Sequence, residues 1–309
     1  MMEEESTCPT LMADSEDGNR IFMECTDNGE QLIHLHHLGS QAVVNLRGAR
    51  VISYISVSDQ LDVIWTPPPS EGEGGIPIVW PWFGAHPEGD RSKPFHGFVK
   101  NRMWSIRSSK VGVATACEPV TIILGTSDDE STMQLFGHSF DLTLSISLAD
   151  RLTLVLKTSN KGIDEFHITA GFHTYFNVKE VDSISIEGLD GAQYIDFADE
   201  KQAKVQHGSL TCTGEMEVNR IYSSGSTCEI RDPMLERKIC ISKQGSQSTV
   251  VWSPWIQDNT ELSEHRRLEN ERFHGMVCVE TANCGDSDVV YLQPGQSVEL
   301  IASISSSPI

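Results

Sequence analysis

Apolar and polar residues alternate strictly along Phe140 to Leu148 (FDLTLSISL), and the alternation returns in Leu152 to Leu156, Ile184 to Ile186 and Val298 to Ile304. A period of two places every second side chain on one face, which is the mark of a half-buried β-strand. Turn clusters interrupt these runs at Ser127-Asp128-Asp129, Ser159-Asn160-Lys161-Gly162, Asp190-Gly191 and Pro294-Gly295, at intervals too short for long helices. The pattern predicts an all-β protein, a large antiparallel β-sandwich. Only Asn259 to Phe273 reads as a helix of any length. It is polar nearly all round, with Leu262, Leu268 and Phe273 too sparse for a wide apolar stripe, so it is expected to be a surface excursion. With no internal linker and no repeat, residues 19–309 read as a single domain. Residues 1–18 are acidic and without periodicity, and are expected to be disordered or loosely attached.

Charge narrows the function classes. The 309 residues carry 23 lysines and arginines against 44 aspartates and glutamates, a formal net charge of -21, which argues against binding a nucleic-acid backbone or an anionic membrane. Any anionic substrate must find local positive contacts. The acidic opening is neither a signal nor a transit peptide, no run of about 18 apolar residues occurs, and none of the eight cysteines forms a CxxC pair. A cytoplasmic monomer with reduced thiols, acting on a small molecule, is the expectation.

Candidate chemistry concentrates in Gly74 to Trp104, which packs five glycines, four prolines, three tryptophans and two histidines into a mostly loop-like stretch. Flat apolar faces, a proton near neutral pH and a rigid backbone together suit a sugar pocket. Phe95-His96-Gly97-Phe98, Ala170 to Phe176 (AGFHTYF) and Val277 to Asn283 (VCVETAN) each set one ionisable side chain among apolar neighbours. A partly desolvated glutamate after a strand over Met276 to Val279 would have its pKa raised toward the range of a general base. Taken singly, a histidine beside aromatics is more commonly structural, and a strand-end glutamate is usually solvated. His34 and His36 of HLHH share a strand face, but no carboxylate or cysteine completes a metal set, so no metal site is expected. Cys278 alternates as a core residue would, and neither GxGxxG, a P-loop nor GxSxG occurs, which leaves thiol, nucleotide-cofactor and serine-hydrolase chemistry without support.

Six motifs in order, GGIPIVWPWFG, HGFVKNRMW, GFHTYFNV, GLDGAQYIDF, VVWSPW and MVCVETAN, resemble those of the hexose-6-phosphate mutarotases, or glucose-6-phosphate 1-epimerases, from about Gln41 to Ile304. The resemblance implies a galactose-mutarotase-like β-sandwich that needs no cofactor and interconverts the α and β anomers of a sugar phosphate. It implies Glu280 as general base at the C1 hydroxyl and His173 as general acid at the ring oxygen. His96 would hold the substrate near its ring oxygen or C1 hydroxyl, with Trp80, Trp82, Phe83 and Trp255 as pocket walls. Ring opening does need an acid and a base with pKa near the working pH, and a Glu and a His supply them.

Three positions depart from the family pattern. Glu73 stands where a basic residue usually precedes GGIP, Lys100 replaces an arginine, and Asn219-Arg220 replaces Asp-Arg. Lys100 keeps the charge without the two-pronged fork that matches phosphate oxygens, and Glu73 reverses the charge. Arg91, Lys93, Arg102, Arg47 and Arg50 are the candidate replacements, with Lys100, Arg102 and Asn219 assigned to substrate binding. Two further readings follow: an aldose 1-epimerase acting on unphosphorylated sugar, and a non-catalytic sugar- or phosphosugar-binding protein.

Overall fold

A computed structural model describes residues 10–15, 18–112 and 118–309. Every paired strand is antiparallel, in three principal sheets. The first is a five-stranded meander from Thr10–Asp14 to Arg50–Ile55. The second has eight strands and is centred on Ser297–Pro308, Leu152–Asn160 and Phe140–Leu148. The third runs from Gln202–Val205 through Gln193–Asp196, Val218–Ser223, Ser248–Ser253, Met276–Asn283 and Ala170–Phe172 to Ile78–Val79, with Tyr175–Asn177 also paired to Met276–Asn283.

The alternating runs behave as their pattern dictates. Along Phe140–Leu148, Phe140, Leu142, Leu144, Ile146 and Leu148 are buried and the residues between them half-buried. Each such side chain contributes about 1.5–3 kcal/mol on burial. A one-residue slip against Leu152–Asn160, where Leu154 faces Ile146, would turn the whole row to solvent. One apolar cluster, including Ile33, Leu144 and Val279, draws on all three sheets.

Some expectations needed correction. Within the acidic N-terminal segment, Thr10–Asp14 is an edge strand paired with Arg20–Cys25; residues 1–9 and 16–17 lie outside the described residues. Backbone hydrogen bonding to a neighbour orders this strand without any apolar periodicity of its own. The helix begins five residues later than its polar pattern suggested, at Glu264–Phe273, after turns around Asn259. A second, short helix, Glu130–Leu135, starts where the sequence offered only a turn signal. Asp129 caps it, accepting from the Thr132 amide while the Thr132 hydroxyl accepts from the Asp129 amide.

Candidate active site

All eight residues of Met276–Asn283 are buried, because both faces of this strand are covered. Val277 and Val279 point into the main core, while Met276 and Cys278 belong to a separate aromatic cluster and Ala282 to a third. Glu280 therefore lies in the middle of a strand on the face away from the main core, with 1 % of its side chain exposed, rather than at a solvated strand end. Its partner across the sheet is Val250. His173 follows the strand Ala170–Phe172, its amide bonded to the Pro77 carbonyl, and its Nε2 stands 3.6 Å from Glu280 Oε1. That is too long for a hydrogen bond. Glu280 Oε2 and His173 Nδ1 are both buried without a partner.

Burial raises the Glu280 pKa well above the ordinary carboxylate range and lowers that of His173 to about 4. Burial thus favours the uncharged form of each, a carboxylic acid beside a neutral imidazole. His96 meets His173 edge to face at 5.3 Å between ring centroids. Burial first, then the neighbouring His173 and Lys100, lower its pKa to about 3, so it stays neutral. Its Nδ1 accepts a hydrogen bond from the Gly84 amide, so the remaining proton belongs on Nε2 and makes the ring a fixed donor. Gly97 makes this placement possible. At φ 69° it passes so close to Trp80 that a Cβ would lie 1.8 Å from the Trp80 carbonyl oxygen.

These groups line a cavity of about 600 Å³, with Phe83, Phe95, Tyr175, Asn219, Trp252, Glu73, Lys100 and Lys201 among its other walls. The volume suits one small ligand. A neighbouring cavity of about 720 Å³ shares Phe83, Ala85, Phe197 and Ile221 with it but contains neither His173 nor Glu280. Of the residues nominated from sequence, His173, Glu280, His96, Lys100, Phe83 and Asn219 come together here.

The others do not. Trp80 is fully buried against Phe98, Phe136 and Phe140. Trp82 lines the neighbouring cavity and donates to the Pro94 carbonyl. Trp255 stacks on His274, outside the cavity. Arg102 pairs with Asp129 at 2.6 Å and bonds Ser131, which leaves its guanidinium turned away from the cavity. Lys93 spends its ammonium on the Gln134 and Leu135 carbonyls, and Arg47, Arg50 and Arg91 do not line the cavity. His34 pairs instead with Glu24 at 2.8 Å, a carboxylate supplied by the adjacent strand.

Sequence reasoning passed over Trp252, Tyr175 and Lys201. Val250 and Trp252 share a face by period two, so the partner strand of Glu280 pointed to Trp252 rather than Trp255. Tyr175 lies two residues beyond His173. Lys201 had no such signal: it sits on the turn joining Gln193–Asp196 to Gln202–Val205, at φ 59°, with its ammonium 5.3 Å over the Phe197 ring. Lys100, by contrast, is held 2.7 Å from Glu73.

The aldose 1-epimerase family profile matches residues 31–305. The chain belongs to that family. A protein of Escherichia coli strain K12, provisionally named a glucose-6-phosphate 1-epimerase, is 27 % identical over 84 % of this chain and 85 % of its own length. One from Cenchrus ciliaris with the same provisional name is 28 % identical over 94 % of this chain and 80 % of its own. The solved structure of a provisionally assigned mutarotase from Salmonella typhimurium superposes with a TM-score of 0.80 at 22 % identity, covering 97 % of both chains. As a member of an epimerase family, the chain has the galactose-mutarotase-like fold that its motifs implied. No helix among the described residues is long and apolar enough to cross a membrane.

Proposed function

We propose that the cavity interconverts the α and β anomers of a hexose 6-phosphate, with glucose 6-phosphate the leading substrate. The observation that carries this reading is the buried pair of Glu280 and His173, facing each other at 3.6 Å in a cavity of about 600 Å³. Glu280, as carboxylate, takes the C1 hydroxyl proton while His173, as imidazolium, protonates the ring oxygen, and the C1–ring oxygen bond breaks to give the aldehyde. Catalysis therefore begins when the bound sugar draws the proton of the pair from Glu280 to His173, and transfer at the substrate returns both groups to the uncharged forms that burial favours. Rotation about the C1–C2 bond presents the other carbonyl face, and the reverse transfers close the ring. His96 donates from Nε2 to an oxygen of the reacting centre. Phe83 and Trp252 offer apolar faces to the pyranose, and Asn219 bonds a hydroxyl.

The phosphate calls on Lys100 and Lys201, the two lysines on the cavity wall. One observation favours the second reading, a free aldose as substrate: the Lys100 ammonium is already neutralised by Glu73. NMR exchange spectroscopy between anomers of glucose 6-phosphate, glucose and galactose, with and without protein, separates the two. Acceleration confined to glucose 6-phosphate supports the first, acceleration confined to free sugars supports the second, and sugar binding without acceleration of any refutes both.

A further inference from the structure

A column of rings stands beside His173. Tyr175 lies nearly parallel to the imidazole, with centroids 4.8 Å apart and planes at 16°, and stacks in turn with Trp65 at 6.0 Å and 23°. Trp252 meets both His173 and Tyr175 edge-on, at 80° and 90°. Phe273, the last residue of the longer helix, packs on Trp65 and Trp252. Together with Met276 and Cys278 these aromatics form a cluster separate from the main core. The Tyr175 backbone is fixed on two sides, by the Gly75 carbonyl and by pairing with Cys278, and its side chain is buried.

An acid–base histidine is ordinarily oriented by a hydrogen bond at its second ring nitrogen. His173 Nδ1, although buried, finds no partner on another residue and has only its own backbone near it. The ionisable groups around the imidazole are Glu280 on the central strand, His96 on the loop, Lys100 with its partner Glu73 beyond, and the Tyr175 phenol itself. The negative potential of a ring face attracts a cation stacked on it more strongly than it attracts a neutral ring.

We propose that Tyr175 is a positioning residue for His173: its ring face, in place of a hydrogen bond at Nδ1, holds the imidazole plane and stabilises the imidazolium as it forms beside Glu280. This rests on His173 being the general acid of the anomer exchange. The aromatic face is the active part of Tyr175 and the hydroxyl is dispensable.

Anomer exchange measured across pH for Tyr175→Phe and Tyr175→Leu tests it. Tyr175→Phe keeps kcat within about twofold, whereas Tyr175→Leu loses about tenfold in kcat with KM nearly unchanged, and its acid limb moves down by about one pH unit. Equal losses in the two variants, or an acid limb that does not move in Tyr175→Leu, overturn the proposal and leave the anomer-exchange reading intact. Should Tyr175→Leu not fold, phenylalanines of increasing fluorine content at position 175 preserve packing while weakening the face. A stepwise fall in kcat then supports the role, and a flat series overturns it. NMR titration of the His173 ring protons needs no turnover. A lower pKa in Tyr175→Leu, or with rising fluorine content, supports the ring-face role even if no sugar is turned over, and an unmoved titration overturns it.

Discussion

Replacing Glu73 by Gln frees the Lys100 ammonium without changing the size of the side chain. In the structure Glu73 Oε1 lies 2.7 Å from Lys100 Nζ, with 50 % of the glutamate side chain exposed against 14 % of the lysine. A phosphate arriving at Lys100 has to share that cation with a carboxylate of its own sign. Two charges on the phosphate, roughly 5 Å from the glutamate at an effective dielectric constant of about 60–80, repel it by about 2 kcal/mol. Half-exposure and salt reduce this, while loosening the ion pair adds a few tenths of a kcal/mol to the cost. Glu73→Gln should therefore lower KM for glucose 6-phosphate by about 5- to 30-fold, corresponding to about 1–2 kcal/mol, and leave that for free glucose within about twofold. Anomer exchange at two salt concentrations is the assay, with the gain shrinking at the higher one. An unchanged ratio of kcat/KM between the phosphorylated and free sugar would refute the reasoning, because it would mean that the phosphate does not approach this pair.

Four other outcomes are expected. Glu280→Gln removes the proposed base and should lower kcat by at least about 100-fold in the exchange assay. The same change should stabilise the protein at neutral pH. Glu280 has a folded pKa above its unfolded value near 4.5, so its contribution is fully present below that value and lost as pH rises through the folded one. Denaturant unfolding at pH 5 and pH 8 should show a gain for the variant of more than about 1 kcal/mol at the higher pH, and none there would contradict the burial argument. The rate itself should fall as pH drops through about 4, where a second proton lands on the His173–Glu280 pair, and again as pH rises through the raised Glu280 value, where the last proton leaves. A profile flat from pH 3 to 9 would exclude the pair as acid and base. Finally, Gly97→Ala, with its Cβ 1.8 Å from the Trp80 carbonyl oxygen, should cost more than about 3 kcal/mol by thermal or denaturant unfolding, while Gly208→Ala, equally left-handed but with open space, costs about 1 kcal/mol.

The architecture was legible wherever one sheet face meets solvent. Phe140–Leu148 is the clearest instance, because its periodicity is its packing. Met276–Asn283 shows the limit: a strand covered on both faces loses its alternation, so Glu280 looked like a strand-end residue when it is the middle of a buried row. The proposed acid–base pair came from motif order, and the sheet then brought together two residues more than a hundred positions apart. The tryptophans misled because a large ring in a glycine- and proline-rich loop can face the core or the cavity, and nothing in the local sequence separates Trp80 from a pocket wall. The cations misled for another reason. Whether Arg102 is free depends on Asp129, a partner 27 residues away that also caps a helix.

Of the three strongly charged groups at the cavity wall, Glu73 and Lys201 stand on a loop and a turn and Lys100 on the single 3-10 turn Val99–Asn101, whereas Glu280 lies in the middle of a fully buried strand. Amide hydrogens of this buried strand should accordingly exchange with solvent only through large-scale opening, while those around Glu73 and Lys201 should exchange through small local fluctuations. Substitutions of Glu73 and Lys201 should thus change the charge of the cavity wall at little cost to cooperativity. The proposed acid–base pair, by contrast, persists as long as the fold does, so substitutions at the wall can retune substrate preference without touching it.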